Sequence, residues 1–218
     1  MEIKWIGHSS FLIKNSFGKK ILIDPIQIHP YIQKYDLKPD IITFSHSHNN
    51  EFINEYIYNN YKIINSATHF ENDHFIIEGF QSYKDDFSGF KRGDNIIYLY
   101  EIDGFKLCHL GSLGHLLDRN LIDKLSNLDF LFIPIGGHFC LDGYLASKIA
   151  TTLKPRYIIP MCFKTSSEYF YLDGPLKFLS SLKNIISYDT NTLYTDDLPT
   201  NNNSTVILLK ENNKEPLV

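Results

Sequence analysis

Short, nearly all-apolar runs that end in polar loops are the feature that most restricts the fold of this chain. Residues 130–135 and 156–160 are such runs, as expected of strands in the centre of a sheet. Other runs end in loops that carry His, Asp, Ser, Cys or Gly, as at residues 44–46, 108–112 and 160–162. Because chemistry in layered α/β folds gathers at strand ends, these loops form the candidate site.

The rest of the pattern is rich in strands, with helices in both halves. Apolar runs bounded by turn signals predict strands at residues 3–6, 11–14, 20–23, 40–44, 61–64, 74–80, 95–102 and 105–110. The last two should form a hairpin, because Asp103-Gly104 between them is a strong turn signal. Helices are expected at residues 51–58, 121–125, 142–153 and 175–182. Asp142 is the expected N-cap of the third helix.

Composition narrows the classes of protein to which the chain can belong. Its 218 residues, 43% of them hydrophobic, predict a single domain over residues 1–218, with a frayed tail from about residue 211. The net charge of -4 argues against non-specific electrostatic binding to nucleic acid or to an anionic membrane. Three cysteines without a CxxC motif favour a reducing cytoplasm over a disulfide framework. We find no signal peptide and no apolar run approaching the ~20 residues of a membrane span.

Three histidines lie at predicted strand ends. His46 and His48 follow the strand at residues 40–44, and His109 ends the second strand of the hairpin. Three imidazoles and a water are the usual ligands of a catalytic zinc ion, whose bound water becomes the nucleophile. The spacing alone equally allows a solvent-facing pair at His46 and His48, so the assignment depends on the wider pattern.

The wider pattern resembles the metallo-β-lactamase superfamily, in particular its small bacterial branch of metal-dependent hydrolases. The matching blocks are residues 5–11, 21–25, 43–52, 91–98, 106–115, 132–137 and 158–164. They occur in the family's order and span about residues 3–165. The resemblance implies an α/β fold, a four-layer αββα sandwich of two mixed β-sheets flanked by helices. It also implies a metal site at one edge, between the two sheets.

The family motif is His-x-His-x-Asp-His, followed by a His, a bridging Asp and a final His, and this chain matches only its first half. The histidines of the first metal site correspond to His46, His48 and His109. The altered second-site positions are Asn50 for Asp, Glu51 for His, Ser112 for the bridging Asp and Cys162 for the final His. Asn50 is a poor general base, since an amide does not take up a proton as a carboxylate does. Glu51 and Cys162 could still bind a metal, because zinc accepts carboxylates and thiolates.

The same resemblance leads to expectations for Asp24, for residues 81–94 and for the role of Cys162. Asp24 is expected to support the histidine loop from behind rather than to bind the metal. Residues 81–94 contain no histidine, although the branch carries histidines there, so the pocket is expected to be rebuilt. Cys162 is either a small buried thiol left after loss of the second site, or a thiolate ligand or nucleophile.

The sequence therefore favours a metal-dependent hydrolase-like protein, with catalysis itself left open. One zinc ion on His46, His48 and His109 would activate water against a small ester, lactone or phosphoester, with Asn50 and Glu51 as the catalytic residues that orient the water. Another divalent metal in place of zinc, a second metal, or no metal at all stays open. The alternative is a catalytically impaired pseudoenzyme that keeps the fold as a binding or scaffold protein. Nucleic-acid processing is disfavoured by the charge. The expected partner is a small-molecule substrate, with no nucleic acid and no membrane; the oligomeric state is open.

Overall fold

Two β-sheets hold most of the chain in a computed structural model that describes residues 1–25, 37–46, 61–165, 171–200 and 203–211. Along these residues the strands are β1 (Glu2–Gly7), β2 (Ser10–Lys14), β3 (Lys20–Ile23), β4 (Ile41–Thr43), β5 (Lys62–Ile64), β6 (His69–Glu71), β7 (Ile76–Tyr83), β8 (Asp94–Ile102), β9 (Phe105–His109), β10 (Phe130–Pro134), β11 (Tyr157–Met161), β12 (Ile185–Ser187), β13 (Thr192–Tyr194) and β14 (Thr205–Leu208).

Both sheets are mixed. The first has the strand order β13-β1-β2-β3-β4-β5, with antiparallel pairing from β13 to β3 and parallel pairing from β3 to β5. The second has the order β12-β14-β11-β10-β9-β8-β7-β6. It is parallel from β12 to β9 and antiparallel from β9 to β6. The carboxyl ends of β3 and β4 therefore lie together in the first sheet, and those of β9, β10 and β11 lie together in the second.

The main core lies between the two sheets. Phe11 of β2 and Phe132 of β10 are fully buried, with ring centroids 4.6 Å apart. Polar side chains also join the sheets: the Tyr100 hydroxyl of β8 lies 2.7 Å from the Thr43 hydroxyl of β4. Buried side chains from opposite sheets thus interlock, which fixes how the ends of the strands face each other.

Three short helices accompany the strands in the described part of the chain. They are α1 (Arg119–Lys124), α2 (Gly143–Leu153) and α3 (Leu176–Leu179). The side chains of Asp118 and Asp142 cap the first two, each accepting a backbone N–H at 2.8 Å. The longest of them, α2, has 11 residues, and no helix among the described residues is long and apolar enough to cross a membrane.

The structure confirms the predicted α/β sandwich of two mixed sheets. The hairpin of β8 and β9 turns at Asp103 and Gly104, both with positive φ, as an Asp-Gly turn requires. The predicted helix at residues 175–182 is shorter than expected, and the sequence analysis missed β6, β12, β13 and β14. The predicted helix at residues 51–58 and the tail beyond residue 211 lie outside the described residues. The single domain over residues 1–218 stays a prediction.

The contact between Phe11 and Phe132 predicts that removing one of these rings strongly lowers the free energy of unfolding. We expect Phe132→Ala to lower the free energy of unfolding by about 3–5 kcal/mol, because it leaves a cavity between the sheets. Phe90→Ala is the matched control, since Phe90 is 91% exposed, and should change that energy by less than about 0.5 kcal/mol. Urea unfolding of both variants measures the difference. Equal effects would contradict the inter-sheet core.

Candidate functional site

Asp24 occupies the centre of the site, directly after β3. Its backbone has a φ of 43°, and its N–H donates to the Thr43 carbonyl at 2.9 Å. This turn places the carboxylate behind the end of β4, where it is fully buried. The Ser45 N–H donates to Oδ1 of Asp24 at 2.6 Å, and the Ser45 hydroxyl donates to Oδ2 at 2.5 Å. A buried carboxylate is stable here because both of its oxygens accept hydrogen bonds.

These hydrogen bonds define the protonation of His46. An ionised carboxylate only accepts, so the Ser45 hydroxyl must donate to Asp24. The same hydroxyl oxygen lies 2.8 Å from Nδ1 of His46. It therefore accepts a hydrogen bond from Nδ1–H, so that the neutral imidazole has its lone pair on Nε2. Asp24, Ser45 and His46 thus form a chain that orients the ring through Nδ1, as supporting groups do for histidine ligands of metals.

His109 approaches the same carboxylate from the second sheet. It ends β9 and is fully buried, with Nδ1 at 3.9 Å from Oδ2 of Asp24. Its Nδ1 accepts a hydrogen bond from the Gly111 N–H at 3.1 Å, and its Nε2 lies 2.9 Å from the Ser9 carbonyl. Nε2 must therefore carry the proton and donate to Ser9. Both ring nitrogens of His109 are used by bonds within the protein.

Burial and neighbouring charges shift the pKa values of Asp24 and His109 in opposite directions. Burial alone would raise the pKa of Asp24, but His109, His46 and the two hydrogen bonds from Ser45 outweigh it, so this pKa lies below its ordinary value. Burial lowers the pKa of His109, and the opposing effects of Asp24 and the Ser9 carbonyl do not restore it. The site therefore holds a charged carboxylate beside a neutral imidazole at neutral pH.

The loop after β9 is held by Asn95, a residue that the sequence analysis did not single out. Its Oδ1 accepts from the Ser112 N–H at 2.8 Å, and its Nδ2 donates to the Leu110 carbonyl at 3.0 Å. Gly111 has a φ of 60°, and a Cβ there would overlap the side chains of Asn95 and Ser45. A fully buried asparagine at the start of an apolar strand was the available signal, since such an amide needs partners. Ser112 is 8% exposed, in a loop fixed by its backbone.

Cys162 lies directly after β11 and contacts His8, which lies in the turn between β1 and β2. Its N–H donates to the His8 carbonyl at 3.0 Å, and its Sγ lies 3.2 Å from Nε2 of His8. The Sγ of Cys140 is 3.9 Å from that of Cys162. The hydrogen bond with Cys162 lowers the pKa of the Cys140 thiol despite its burial. The sequence analysis gave Cys140 no role, because its contact with Cys162 exists only in the folded sheet.

The structure thus brings part of the predicted metal site together. Asp24 contacts His46 through Ser45 and lies 3.9 Å from His109, and its supporting role for a metal site stays a prediction. His48, Asn50 and Glu51 lie outside the described residues. Within residues 1–25, 37–46, 61–165, 171–200 and 203–211, no three His, Cys, Asp or Glu side chains are grouped to hold a metal. The ligand set of His46, His48 and His109 therefore stays a prediction.

The buried carboxylate leads to a prediction about stability and pH. Asp24→Asn should lower the free energy of unfolding by about 1.5–3 kcal/mol at neutral pH, because charge-assisted hydrogen bonds to Ser45 are lost. The folded-state pKa of Asp24 lies below its ordinary value of 3.8. Its contribution to stability is therefore full above that value and is lost as the pH falls through the folded-state pKa.

Urea unfolding from pH 8 downward measures this contribution. The difference between the native protein and Asp24→Asn should narrow as the pH falls below the ordinary aspartate value of 3.8. The exposed Asp86 gives the control Asp86→Asn, for which we expect a change below about 0.5 kcal/mol. A difference that grows below pH 3.8 would contradict the lowered pKa of Asp24.

Comparisons with known proteins find relatives that are similar in sequence and in overall structure. A metal-dependent hydrolase from Thermococcus onnurineus is 27% identical over 193 residues, which cover 76% of this chain and 85% of that protein. One from Methanosarcina barkeri is 28% identical over 195 residues, with coverage of 76% and 84%. A metallo-beta-lactamase superfamily protein from Thermotoga maritima has a structure that superposes with a TM-score of 0.74 at 27% identity, covering 96% of this chain and 99% of that one.

The family profile covers both the histidine loop and the strands that carry His109 and Cys162. It is described as the beta-lactamase superfamily domain and matches residues 2–162, almost three quarters of the chain. Together with the two mixed sheets and the strand-end loops, this match shows that the chain belongs to the metallo-β-lactamase superfamily.

Proposed function

We propose that this protein is a metal-dependent hydrolase that holds one zinc ion on His46, His48 and His109. The chain of hydrogen bonds that runs from the buried Asp24 and Ser45 to the partly buried His46 is the observation that carries the proposal. It fixes the imidazole in the tautomer with its lone pair on Nε2, as a metal ligand requires. A histidine in a purely structural role does not need a buried carboxylate to orient it through an intervening hydroxyl.

His109 fits the ligand role only with a change of tautomer. Its Nε2–H donates to the Ser9 carbonyl, and a protonated nitrogen cannot bind a metal ion. If the proton moves to Nδ1, the Gly111 N–H loses its acceptor and the Ser9 carbonyl loses its donor. Nδ1 then faces Oδ2 of Asp24, now 3.9 Å away. Asp24 would then stabilise the imidazoles of both His46 and His109, one through Ser45 and the other across the short gap.

A zinc ion held by three histidines lowers the pKa of a bound water and supplies a hydroxide nucleophile near neutral pH. Asn50 and Glu51 are the residues proposed to orient that water. The Glu51 carboxylate can accept a proton, whereas the Asn50 amide can only position the water through hydrogen bonds. Ser112 and Cys162 replace the acidic and histidine ligands of a second ion, so one metal is proposed rather than two.

The names of the relatives support the same class of reaction. The Thermococcus onnurineus and Methanosarcina barkeri proteins are named metal-dependent hydrolases, and the Thermotoga maritima protein is regarded as a Zn-dependent hydrolase. We propose a small ester, lactone or phosphoester as substrate, in the cytoplasm. The net charge of -4 disfavours nucleic-acid and anionic membrane partners.

Metal analysis of protein purified without added metal tests the proposed centre. We expect about one zinc per chain in the native protein. His46→Ala should lower the bound metal several-fold, because it removes a ligand that Asp24 and Ser45 hold in place. Ser45→Ala should weaken metal binding by about 10–100-fold, since it cuts the link between Asp24 and His46.

His69→Ala is the matched control, because His69 is an exposed histidine on β6 and no predicted ligand. It should keep the native metal content. The proposal fails if the native protein carries no stoichiometric metal and His46→Ala changes neither metal content nor stability.

A second candidate, a pseudoenzyme that keeps the fold as a binding or scaffold protein, has its own support. In the described structure both nitrogens of His109 and the thiol of Cys162 contact other groups of the protein. Ser112 at the bridging position has no charge to offer a cation. These contacts would suit a site whose side chains now stabilise the fold.

The pseudoenzyme makes a distinct prediction. Changing Asn50→Asp, Glu51→His, Ser112→Asp and Cys162→His together should then create metal binding or hydrolysis that the native protein lacks. The assays are metal analysis and turnover of nitrophenyl esters, nitrophenyl phosphodiesters and lactones. Native turnover of any of these that His109→Ala abolishes would eliminate the pseudoenzyme and support the hydrolase.

A further inference from the structure

Two cysteine thiols from different segments of the second sheet meet beside the candidate site. Cys140 lies in the loop between β10 and α2, and Cys162 follows β11. Their Sγ atoms are 3.9 Å apart, and the two residues are 6% and 2% exposed. The thiols are therefore in van der Waals contact, in surroundings from which most of the solvent is excluded.

The backbone holds these two segments close together. The Ile135 N–H donates to the Met161 carbonyl at 3.1 Å, which extends the pairing of β10 with β11 up to the loops. A Cβ on Gly136 would overlap the carbonyl oxygen of Cys162, so the two backbones pack directly against each other. The Cys140 N–H donates to the Gly137 carbonyl at 3.2 Å and closes the turn. The contact between the thiols thus follows from hydrogen-bonded backbone on both sides.

His8 adds a proton acceptor to the pair. Its Nε2 lies 3.2 Å from Sγ of Cys162, and its carbonyl accepts from the Cys162 N–H at 3.0 Å. An imidazole at hydrogen-bonding distance can take the proton of a thiol as the sulfur attacks. The third cysteine, Cys108, is fully buried within β9, and burial raises the pKa of its thiol well above the ordinary value.

We propose that Cys140 and Cys162 form an oxidation-sensitive dithiol that hydroperoxides convert reversibly into a disulfide. The Sγ atoms, 3.9 Å apart in the reduced protein, need to approach to about 2.05 Å. The proposal concerns the thiols alone and does not depend on a metal or on hydrolysis.

The chemistry balances in two steps with hydrogen peroxide as oxidant. The thiol of the more exposed Cys140 first gives its proton to solvent and then attacks one peroxide oxygen as the thiolate. The O–O bond breaks, and the released hydroxide takes a proton from solvent and leaves as water. Cys162 then attacks the sulfur of the sulfenic acid, and its proton passes to His8. The S–O bond breaks, and the leaving hydroxide takes that proton from His8. Two thiols and one peroxide thus give one disulfide and two waters, and a reducing thiol reverses the change.

Formation of the disulfide would affect the candidate site through the turn between β1 and β2. Cys162 contacts His8 in that turn, and the carbonyl of the next residue, Ser9, binds His109. A disulfide engages the sulfur that now lies beside His8, so the turn loses one of its contacts. Oxidation of the pair therefore alters the support of His109.

Treatment of the full-length protein with hydrogen peroxide tests the dithiol. The chain has three cysteines and no disulfide, so we expect the count of reactive thiols in denaturant to fall from three to one. Peptide mapping without reductant should join the peptides that contain Cys140 and Cys162. A reducing thiol should restore all three. The native protein alone decides this outcome, even if a variant fails to fold.

The variants supply the controls. Cys140→Ala and Cys162→Ala should each form no intramolecular disulfide, whereas Cys108→Ala should still form it and lose both remaining thiols. The proposal is overturned if the treated native protein keeps three thiols, or if the linkage involves Cys108. Because neither readout measures metal or turnover, failure of the dithiol and failure of the hydrolase are separate results.

Discussion

The burial of the Asp24 carboxylate is the interaction on which the other contacts of the site depend. An ionised carboxylate in the interior costs several kcal/mol unless its oxygens find donors. Here Ser45 supplies both a backbone and a side-chain donor. The carbonyl of Ser45 in turn accepts from the Ile96 N–H of the second sheet at 2.6 Å. Ser45 thus donates to the carboxylate and also joins the two sheets. The same residue therefore stabilises the site and the packing of one sheet on the other.

This arrangement also explains which substitutions the neighbouring loop allows. Gly111 has no room for a Cβ, because Ser45 and Asn95 occupy that space. Its N–H can therefore reach Nδ1 of His109. The buried amide of Asn95 then fixes the backbone on both sides of Gly111. The position of His109 depends on residues from β8, from the end of β4 and from the loop after β9.

Local sequence patterns were enough for the parts of the fold that local physics determines. The apolar strands, the Asp-Gly hairpin and the helix capped by Asp142 all follow from periodicity and turn chemistry. The missed strands β6, β12 and β13 have only three residues each, and β14 has four. Two of them form strands with partners far along the chain: β13 pairs with β1, and β14 with β11. A three-residue run cannot show such pairing.

The sequence likewise indicated which residues belong to the candidate site but not the contacts between residues that are distant along the chain. His46 and His109 both lie near Asp24 in the structure, but the resemblance could not show what each ring nitrogen contacts. The bond between His109 and the Ser9 carbonyl joins residues 100 positions apart. The contact of Cys140 with Cys162 joins positions 22 apart and requires β10 and β11 to lie side by side. Both depend on the assembled sheets, so composition and spacing carry no signal for them.

The turn between β1 and β2 links the retained and the altered halves of the metal motif. The His8 carbonyl accepts from the Trp5 indole and from the Cys162 N–H, both at 3.0 Å. The Ser9 carbonyl accepts from His109. Trp5 itself stacks on Phe163, the residue after Cys162, with ring centroids 5.6 Å apart. The turn is therefore held by the backbone of the loop that carries Cys162, and its Ser9 carbonyl in turn holds His109. A shift of the Cys162 backbone would reach His109 through these two adjacent carbonyls.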